Sequence, residues 1–288
     1  MHEDMKDKVC LVTGANSGIG REACVALASM GAHVVMVARD PARGEAALRE
    51  VRSRSGNSGG ELMLADLAVQ ESVGELARSF SRRHRRLDVL INNAGALYSE
   101  RSVTPDGFER TFAVNHLSAF LLTNLLLPAL RAGSPSRIVN VASRAHRRGG
   151  PLDFDDLQSE RRYIPFRVYG RSKLANILFT YELARRLEGT GVTANCLHPG
   201  VVRTGFAQGE KGATGMFFRL IRPLMLTPRK GAETLVYLAA SPQVAGVSGH
   251  YFVGKKPVRS HRRTYDTAAA RRLWTVSAAM TGLNPAKP

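Results

Sequence analysis

The sequence predicts an α/β fold, a doubly wound parallel sheet of about seven strands with helices on both faces. Short segments rich in valine, isoleucine and leucine alternate with longer helical segments along most of the chain, which is the pattern of β-α-β units. A glycine-rich turn joins the first strand to the first helix. No internal repeat or low-complexity linker interrupts the alternation, so we expect one domain over residues 1–288.

The elements follow from this alternation in chain order. The first apolar run ends at the glycine-rich turn, and the second is rich in valine. Strands are predicted at residues 8–13, 33–38, 61–65, 88–92, 136–143, 192–198 and about 249–253. Helices are predicted at 18–29, 41–54, 69–86, about 107–132, about 168–187 and 229–241. Ligands of such sheets bind beyond the carboxyl ends of the strands, where we expect the functional residues.

The composition narrows the classes of protein. Of the 288 residues, 44% are hydrophobic, enough for a large core, yet no apolar run approaches the roughly 20 residues of a transmembrane helix. Residues 1–8 are polar and lack the apolar region of a secretory signal. The three cysteines lie in apolar stretches, and their odd number is atypical of a disulfide framework. We therefore expect a cytoplasmic protein without a transmembrane segment, and we predict no metal site.

The net charge of +17 comes from 41 Lys and Arg against 24 Asp and Glu. It is compatible with nucleic-acid or anionic-membrane binding, or with a solvated arginine-rich surface. The basic residues are scattered, and no aromatic residues alternate with them as stacking platforms for bases. We favour the solvated surface, predict no nucleic-acid partner, and expect a positive field that attracts an anionic dinucleotide.

The turn after the first strand has the spacing of a dinucleotide-binding loop. Glycines at Gly14, Gly18 and Gly20 give the pattern GxxxGxG. Glycine lets the backbone approach a phosphate, and the N-terminus of the next helix presents free N–H groups to that anion. The strand–turn–helix context is the one that this motif requires, so a Rossmann-type fold is predicted, with Asn16, Ser17 and Ile19 also at the cofactor.

The residues after the second and third strands bear on which dinucleotide binds. The second strand ends in Ala38-Arg39-Asp40, and an arginine at this place can bind the 2′-phosphate of NADP. This favours NADP(H) over NAD(H). Two alternatives stay open: Arg39 could be a surface residue without a ligand, and Asp40 could pair with a nearby arginine. After the third strand, Asp66 and Leu67 are predicted to contact the adenine, with Asp66 as the N-cap of the next helix as the alternative.

The candidate catalytic residues are a tyrosine and a lysine on one helix face. Tyr169 and Lys173 are separated by four residues, and a nearby ammonium is expected to lower the pKa of a phenol toward neutrality. Ser143 ends the fifth strand, where its hydroxyl can hold a substrate oxygen. Asn115 lies within the long apolar helix, where it could position a water beside Lys173.

Further motifs complete a family pattern. The matching segments are Thr13–Gly20, Asn92-Asn93-Ala94-Gly95, Asn115, Ser143, the Tyr169/Lys173 pair and Pro199-Gly200. In this order the chain resembles the short-chain dehydrogenase/reductases over about residues 8–255. The resemblance implies an oxidoreductase with a tetrad of Asn115, Ser143, Tyr169 and Lys173. It also implies cofactor contacts at Asn93, Ala94, Gly95, Tyr169, Lys173, Pro199, Gly200, Val201 and Thr204.

A narrower set of segments resembles the retinol dehydrogenase branch of that family, in its soluble bacterial-type members. These segments are 115–117, 120–127, 136–141, 145–146, 153–157, 172–179, 197–204 and 271–274. The resemblance implies NADP(H) and hydride transfer between the nicotinamide and a lipophilic alcohol, aldehyde or ketone, as in a carbonyl reductase. The main alternative is a non-catalytic NADP-binding regulator on the same fold, which would be expected to lack part of the tetrad. A light-dependent protochlorophyllide reductase would share the Tyr/Lys pair.

Two segments are predicted to border the substrate. One is a loop at about 144–167, and the other is a lid at about 200–227, whose apolar run could also be a core helix or a peripheral membrane contact. Leu97, Tyr98 and Tyr163 are further candidates for the pocket lining. The helices at 107–132 and 168–187 could pair across a two-fold axis, so a homodimer is predicted.

Overall fold

The sheet is the centre of the molecule and has the predicted doubly wound topology. The computed structural model describes residues 4–203 and 225–284. Its eight strands follow the spatial order β3-β2-β1-β4-β5-β6-β7-β8. All neighbouring strands pair in parallel except β7 and β8, which are antiparallel. The order reverses between β1 and β4, which creates the crevice where such sheets bind ligands.

The strand and helix bounds define the frame on which the site is built. The strands are β1 Val9–Thr13, β2 His33–Ala38, β3 Glu61–Leu64, β4 Val89–Asn92, β5 Ser136–Val141, β6 Val192–His198, β7 Tyr251–Val253 and β8 Lys256–Pro257. The helices are α1 Gly18–Ser29, α2 Pro41–Ser55, α3 Gln70–Arg83, α4 Arg110–Ala132, α5 Pro165–Arg186, α6 Pro228–Ala240 and α7 Thr267–Met280. Short 3₁₀ turns lie at Arg144–Arg147, Pro242–Val244 and Arg262–Tyr265.

Both faces of the sheet are buried, which explains why its strands are apolar throughout. In β1, Cys10 and Val12 belong to a core cluster shared with α1 and α6, whereas Leu11 belongs to a second cluster shared with α3, α4 and α5. In β2, Met36 and Val37 divide between the two clusters in the same way. A parallel sheet covered by helices on both sides requires this continuous hydrophobicity.

Two elements near the C-terminus were not expected from the sequence. β8 has only two residues, includes Pro257 and pairs at the sheet edge, so neither its length nor its composition signals a strand. α7 places Trp274 between the helices of the second core cluster. The prediction of about seven strands therefore holds for the parallel part, and the eighth strand is an antiparallel addition.

The long apolar helix α4 is a core helix. It is long and apolar enough to cross a membrane by length and composition, but 78% of its most apolar window is buried inside the domain. Burial of this kind is sufficient to explain an apolar helix in a globular core. Its N-terminal part departs from α-helical geometry, because Ala113–Leu117 forms a π-helical turn.

Candidate active site

The predicted site residues gather at the carboxyl ends of the strands. The glycine turn follows β1, Arg39 follows β2, Asp66 follows β3, the segment 93–95 follows β4 and Ser143 follows β5. The edge at which they meet is the one where doubly wound sheets bind their ligands. A groove of about 750 Å³ lies instead at the opposite edge, lined by residues such as Lys8, Asp88 and Ser136, and it contains none of the predicted site residues.

The first residues of α1 pack closely against the glycine turn that precedes them. Gly14 and Gly18 have positive φ angles of 63° and 58°, which L side chains rarely adopt. A Cβ on Gly20 would lie 2.4 Å from the Gly14 carbonyl oxygen and 2.5 Å from Nδ2 of Asn93, so only glycine fits there. Ser17 is the N-cap residue of α1, yet its side chain forms no capping hydrogen bond.

These features fit the phosphates of a dinucleotide. The first N–H groups of α1 have no intrahelical acceptor and the hydroxyl of Ser17 makes no capping hydrogen bond, so these donors are available to an anion at the helix N-terminus. Asn16 is partly exposed in the same turn. The side chain of Ile19 packs toward Gly231 of α6, so only its backbone is available to a ligand in this turn.

The segment after β4 is locked to the glycine turn by hydrogen bonds. The hydroxyl of Thr13 accepts from the N–H groups of Asn93 at 3.0 Å and Ala94 at 3.1 Å. The side-chain amide of Asn93 donates to the carbonyl oxygens of Thr13 at 2.8 Å and Gly14 at 3.2 Å. Asn93 thus supports the wall of the cofactor crevice, and the role of Thr13 is one that the sequence pattern alone did not single out.

Arg39 is exposed at the end of β2 and is available to a ligand. Asp40 does not pair with it, since Oδ1 of Asp40 accepts a hydrogen bond from the N–H of Arg43 at 2.8 Å and caps α2. Among the described residues, no carboxylate forms an ion pair with Arg39. The open alternative for Asp40 is therefore resolved as a helix cap.

Asp66 stands beside the crevice but is not the cap of α3. Its Oδ1 accepts from the N–H of Ala68 at 3.0 Å, in a turn that leads from β3, and Leu67 lies half-buried in that turn. The N-cap residue of α3 is Val69, and the N–H of Gln70 donates to Oδ2 of Asp106 at 2.8 Å. The N-cap alternative for Asp66 was wrong, because a distant loop supplies that carboxylate.

Tyr169 and Lys173 lie on the buried face of α5, next to Ser143. The hydroxyls of Tyr169 and Ser143 are hydrogen-bonded, and Ser143 also accepts from the N–H of Ala145 at 3.1 Å. The ammonium of Lys173 donates to the carbonyl oxygen of Val141 at 2.9 Å and lies 5.7 Å from the centre of the Tyr169 ring. The predicted tyrosine, serine and lysine therefore form one site.

The pKa values of this pair are set by burial. Burial raises the pKa of Tyr169 to about 12, against the opposing effect of its hydrogen bond with Ser143. Burial lowers the pKa of Lys173 to about 8. The expected lowering of the phenol pKa toward neutrality is not found in this geometry, since loss of hydration is the largest cause and the opposing one is the hydrogen bond with Ser143. At neutral pH the tyrosine is a protonated acid and most of the lysine is charged.

Asn115 lies in the π-helical turn of α4 and has all its amide groups engaged. Its Oδ1 accepts from the N–H of Ala96 at 2.7 Å, and its Nδ2 donates to the Ala96 carbonyl and to Oγ of Ser172, both at 2.9 Å. Single π turns often mark functional sites in helices. Asn115 therefore joins α4, the segment after β4 and α5, and the water beside Lys173 stays a prediction.

Two glycines allow these groups to approach one another. A Cβ on Gly95 would lie 3.1 Å from Nζ of Lys173 and 3.3 Å from Oδ1 of Asn115. A Cβ on Gly170 would lie 2.7 Å from the Ala145 carbonyl oxygen and from Cα of Gly149. The turn that carries Ser143 can therefore pack directly on the helix that carries Tyr169. No local sequence pattern predicts the Gly149–Gly170 contact.

A histidine also holds the turn after Ser143 in place. Nδ1 of His146 bonds the Ser143 carbonyl oxygen at 2.5 Å, and its Nε2 accepts from the N–H of His261 at 3.2 Å. These partners require a neutral imidazole with its proton on Nδ1, and burial lowers the pKa of His146 accordingly. His146 had been noted only as part of the family resemblance, whereas it links the serine to the C-terminal segment.

The segment after β6 lies at the same sheet edge as the other predicted site residues. Gly200 has a φ of 93°, and a Cβ there would lie 2.5 Å from the side chain of Leu226. The N–H of Leu226 donates to the Val201 carbonyl at 2.8 Å, so Pro199 to Val201 are fixed by the far end of the predicted lid. Thr204 and residues 204–224 of that lid lie outside the described residues.

The other candidate lining residues occupy different places. Leu97 packs with Ala145 and Tyr169 in a small apolar cluster, beside the reacting groups. Tyr98 lies on the cofactor side, because Arg110 stacks on its ring at 5.5 Å and its phenol interacts with the charges of Arg39 and Asp66. Tyr163 holds the predicted substrate loop, with its hydroxyl bonded to the Tyr98 carbonyl at 3.0 Å.

One cluster of potential metal ligands lies at the opposite edge of the sheet. His33, Glu61 and His84 place their ligand atoms within 4.8 Å of one another. Nδ1 of His33 accepts from the N–H of Gly60, so its proton lies on Nε2, the atom that would face a metal. Arg83 occupies the second oxygen of Glu61 at 2.6 Å. This tautomer and this ion pair favour a hydrogen-bonded cluster over a metal site.

Comparison with known proteins identifies similar chains. The family model described as short chain dehydrogenase matches residues 8–213. Retinol dehydrogenase 14 of Homo sapiens is 47% identical over an alignment of 300 positions, which covers 97% of this chain and 88% of that protein.

Solved structures support the same assignment. A crystal structure of an uncharacterized protein from Mycobacterium paratuberculosis has a TM-score of 0.80 and 33% identity over 98% of this chain and 96% of its own. The complex of Pseudomonas aeruginosa RhlG with NADP has a TM-score of 0.69 and 25% identity over 88% of this chain and 97% of its own. The similarity thus extends over the whole described domain.

Proposed function

The chain belongs to the short-chain dehydrogenase family, a family of oxidoreductases, and on that premise we propose that it transfers hydride between NADP(H) and a lipophilic alcohol or the corresponding aldehyde or ketone. The observation that carries the proposal is the hydrogen-bonded Ser143–Tyr169 pair above buried Lys173. This pair lies at the same sheet edge as a glycine turn that fits a dinucleotide.

The preference for NADP(H) rests on the end of β2. Arg39 is exposed and its planar guanidinium matches a phosphate with two parallel hydrogen bonds. Asp40, the acid that could have bound a free ribose, is committed to capping α2. The NADP complex of the Pseudomonas aeruginosa relative is consistent with this cofactor.

Each residue of the site has a separate role in the proposed reaction. NADP(H), when bound, supplies or accepts the hydride. Ser143 donates a hydrogen bond to the substrate oxygen, and Tyr169 gives its proton to that oxygen in reduction or takes it back in oxidation. Lys173 stabilises the phenolate electrostatically, since its ammonium is held in place by the Val141 carbonyl. Asn115 fixes the segment at Ala96 and Ser172 against α5.

A lipophilic substrate fits the surroundings of the reacting groups. Leu97 and Ala145 pack beside Tyr169, so the wall next to the phenol is apolar. The relatives named retinol dehydrogenases suggest a long apolar alcohol or aldehyde.

We further propose a cytoplasmic homodimer. The faces of α4 and α5 that the sequence predicts to pair are buried within the chain, where Trp274 of α7 packs on Phe120 and Phe179, so another surface would form the dimer. Light scattering at the mass of one 31.3 kDa chain would be the contrary result.

The test is turnover with NADPH and NADH on a panel of lipophilic aldehydes and ketones, for the wild type and Tyr169→Phe. We expect turnover with NADPH in the wild type and its loss in the variant, while NADPH binding by fluorescence is retained. Preference for NADH would contradict the cofactor assignment. Equal turnover by the variant would contradict the role of Tyr169, and tight NADPH binding without turnover would favour the regulator.

A further inference from the structure

An unpaired basic surface lies directly beside the catalytic serine. It is formed by the turn after β5 and by the segment between β8 and α7, which we call the arginine patch. Its members are Arg144, Arg147, Arg148, Arg259, Arg262 and Arg263. No aspartate or glutamate occurs within residues 143–150 or 254–265, so the sequence of both segments is purely basic.

The arginine patch differs from the ion-paired part of the basic surface. Several arginines elsewhere pair with carboxylates, as Arg54 does with Glu22 at 2.7 Å, Arg83 with Glu61 at 2.6 Å and Arg185 with Glu182 at 2.7 Å. Within the described part of the chain, no member of the patch forms an ion pair with a carboxylate. The six arginines therefore form a local group of positive charges that no carboxylate of the described residues compensates.

Contacts between the two segments hold these charges together. Nη2 of Arg147 donates to the Arg259 carbonyl oxygen at 3.3 Å, and His261 bonds His146 across the same boundary. The pKa of His261 is lowered mainly by loss of hydration, and further by the neighbouring guanidinium charges of Arg263, Arg262 and Arg147. Like charges fixed this close repel each other, and an anionic partner would relieve that repulsion.

Apolar side chains are exposed within the same segment. Val258 is 39% exposed and Tyr265 is 46% exposed, on either side of the patch residues. The Tyr265 ring stacks on Tyr181 and is covered by Arg259 at 5.9 Å, so it does not offer a free face to a nucleic-acid base. Exposed apolar groups among cations are typical of a surface that meets phospholipid headgroups and the top of the acyl chains.

We propose that the arginine patch, with Val258 and Tyr265, binds the protein peripherally to membranes that contain anionic phospholipid. Since Arg144 follows Ser143 directly in the chain, such docking brings the catalytic end of the sheet to the lipid surface. On the proposed function, a lipophilic alcohol or aldehyde would then pass to the site without crossing bulk water. Membrane binding itself does not depend on that activity.

The experiment is co-sedimentation with phosphatidylcholine vesicles, with and without phosphatidylglycerol, in the absence of cofactor and substrate. We expect binding only to the vesicles that contain phosphatidylglycerol, and release at about 1 M salt, where the screening length falls to about 3 Å. The triple variant Arg147→Gln, Arg259→Gln, Arg262→Gln should lose affinity on the order of a hundredfold, because each basic residue contributes about fivefold near such a surface.

Two control variants separate the patch from net charge and from folding. Arg49→Gln, Arg82→Gln, Arg85→Gln removes the same charge from exposed residues away from the patch and should change affinity only slightly. Replacing the three patch arginines by lysine should retain binding. Equal loss in both glutamine variants, no binding by the wild type, or tighter binding to single-stranded RNA would overturn the proposal. Turnover of soluble aldehydes by the patch variant reports separately on the proposed function.

Discussion

At the scale of single residues, Arg39 is the side chain on which cofactor choice depends. It is exposed at the end of β2 without a carboxylate partner among the described residues, and Asp40 beside it is used as a helix cap. Arg39→Ala should raise the KM for NADPH by about 10- to 100-fold, since hydrogen bonds to a charged group contribute about 1.5–3 kcal/mol. The KM for NADH should change little.

The comparison variant is Arg49→Ala, which removes an exposed arginine from α2, the helix that follows Arg39. Steady-state kinetics with both cofactors measures the effect. If Arg39→Ala raised both KM values equally, Arg39 would have a general electrostatic role and the assignment of the 2′-phosphate to it would fail.

Lys173 gives the site a predicted dependence on pH. Its pKa is lowered to about 8 by burial, whereas that of Tyr169 is raised to about 12. As the pH rises through about 8, the lysine loses its charge while the tyrosine keeps its proton. Carbonyl reduction should therefore be independent of pH below about 8 and fall up to tenfold per pH unit above it, because the phenolate loses its stabilising cation.

The measurement is kcat/KM for reduction of one aldehyde between neutral and alkaline pH. NADPH binding measured over the same range corrects for any loss of cofactor affinity. A rate that stays constant well above pH 8 would show that the lysine remains charged there, and that bound ligands restore its ordinary pKa.

At the scale of elements, the active site depends on the close contact between α5 and the turn after β5. Gly170→Ala would place a Cβ 2.7 Å from both the Ala145 carbonyl oxygen and Cα of Gly149. Both neighbours are backbone atoms, which cannot move away as the end of a flexible side chain can. We expect a loss of about 1–3 kcal/mol in the free energy of unfolding. Because the displaced elements carry Ser143 and Tyr169, kcat should fall on the order of a hundredfold.

Gly74→Ala is the matched control for this substitution. Gly74 is also inside a helix, and its added Cβ would meet only the flexible side chain of Arg78 at 3.4 Å. Alanine there should stabilise the protein by up to about 1 kcal/mol and leave kcat unchanged. Urea unfolding and steady-state kinetics measure the free energy of unfolding and kcat of both variants. Full activity in Gly170→Ala would show that the contact is not needed to place the tetrad.

The same elements show which features a sequence can predict. Tyr169 and Lys173 were placed together because their spacing is a local property of a helix, and the glycine turn because it lies within one strand–turn–helix unit. The cap of α3 by Asp106 and the contact of Gly149 with Gly170 join segments far apart in sequence, so no local pattern encodes them. The π turn at Asn115 is likewise stabilised by its partners Ala96 and Ser172.

Chemical environment was predicted less well than position. The sequence placed Lys173 near Tyr169 correctly, but the direction of the tyrosine pKa depends on how completely the pair is buried. The relative exposure of Tyr169 is 9% and that of Lys173 is 2%, which follows from the packing of the whole fold. β8 and α7 were missed because the strand is short and the helix is defined mainly by its contact with the second core cluster.

At the scale of the whole molecule, His116 ties three helices together and makes the fold sensitive to acid. It is fully buried in α4, with Nδ1 on Oδ1 of Asn176 in α5 at 3.3 Å and Nε2 on the hydroxyl of Ser277 in α7 at 2.9 Å. Both partners suit a neutral imidazole, and burial lowers its pKa to about 4. In the unfolded chain the same group titrates at about 6.5.

The sign of the effect follows from these two values. Above about pH 6.5 the histidine is neutral in both states and stability does not depend on it. Between about pH 6.5 and pH 4 only the unfolded chain takes up the proton, so stability falls as the pH falls, by about 2 kcal/mol from pH 7 to pH 5.

His116→Gln should be less stable than the wild type at pH 7, yet lose less stability between pH 7 and pH 5. Urea unfolding at the two pH values measures the difference, with the exposed His250→Gln as the control that should follow the wild type. If His116→Gln lost as much stability as the wild type, then other buried groups, of which His198 with a pKa of about 4 is the first to test, would govern acid unfolding.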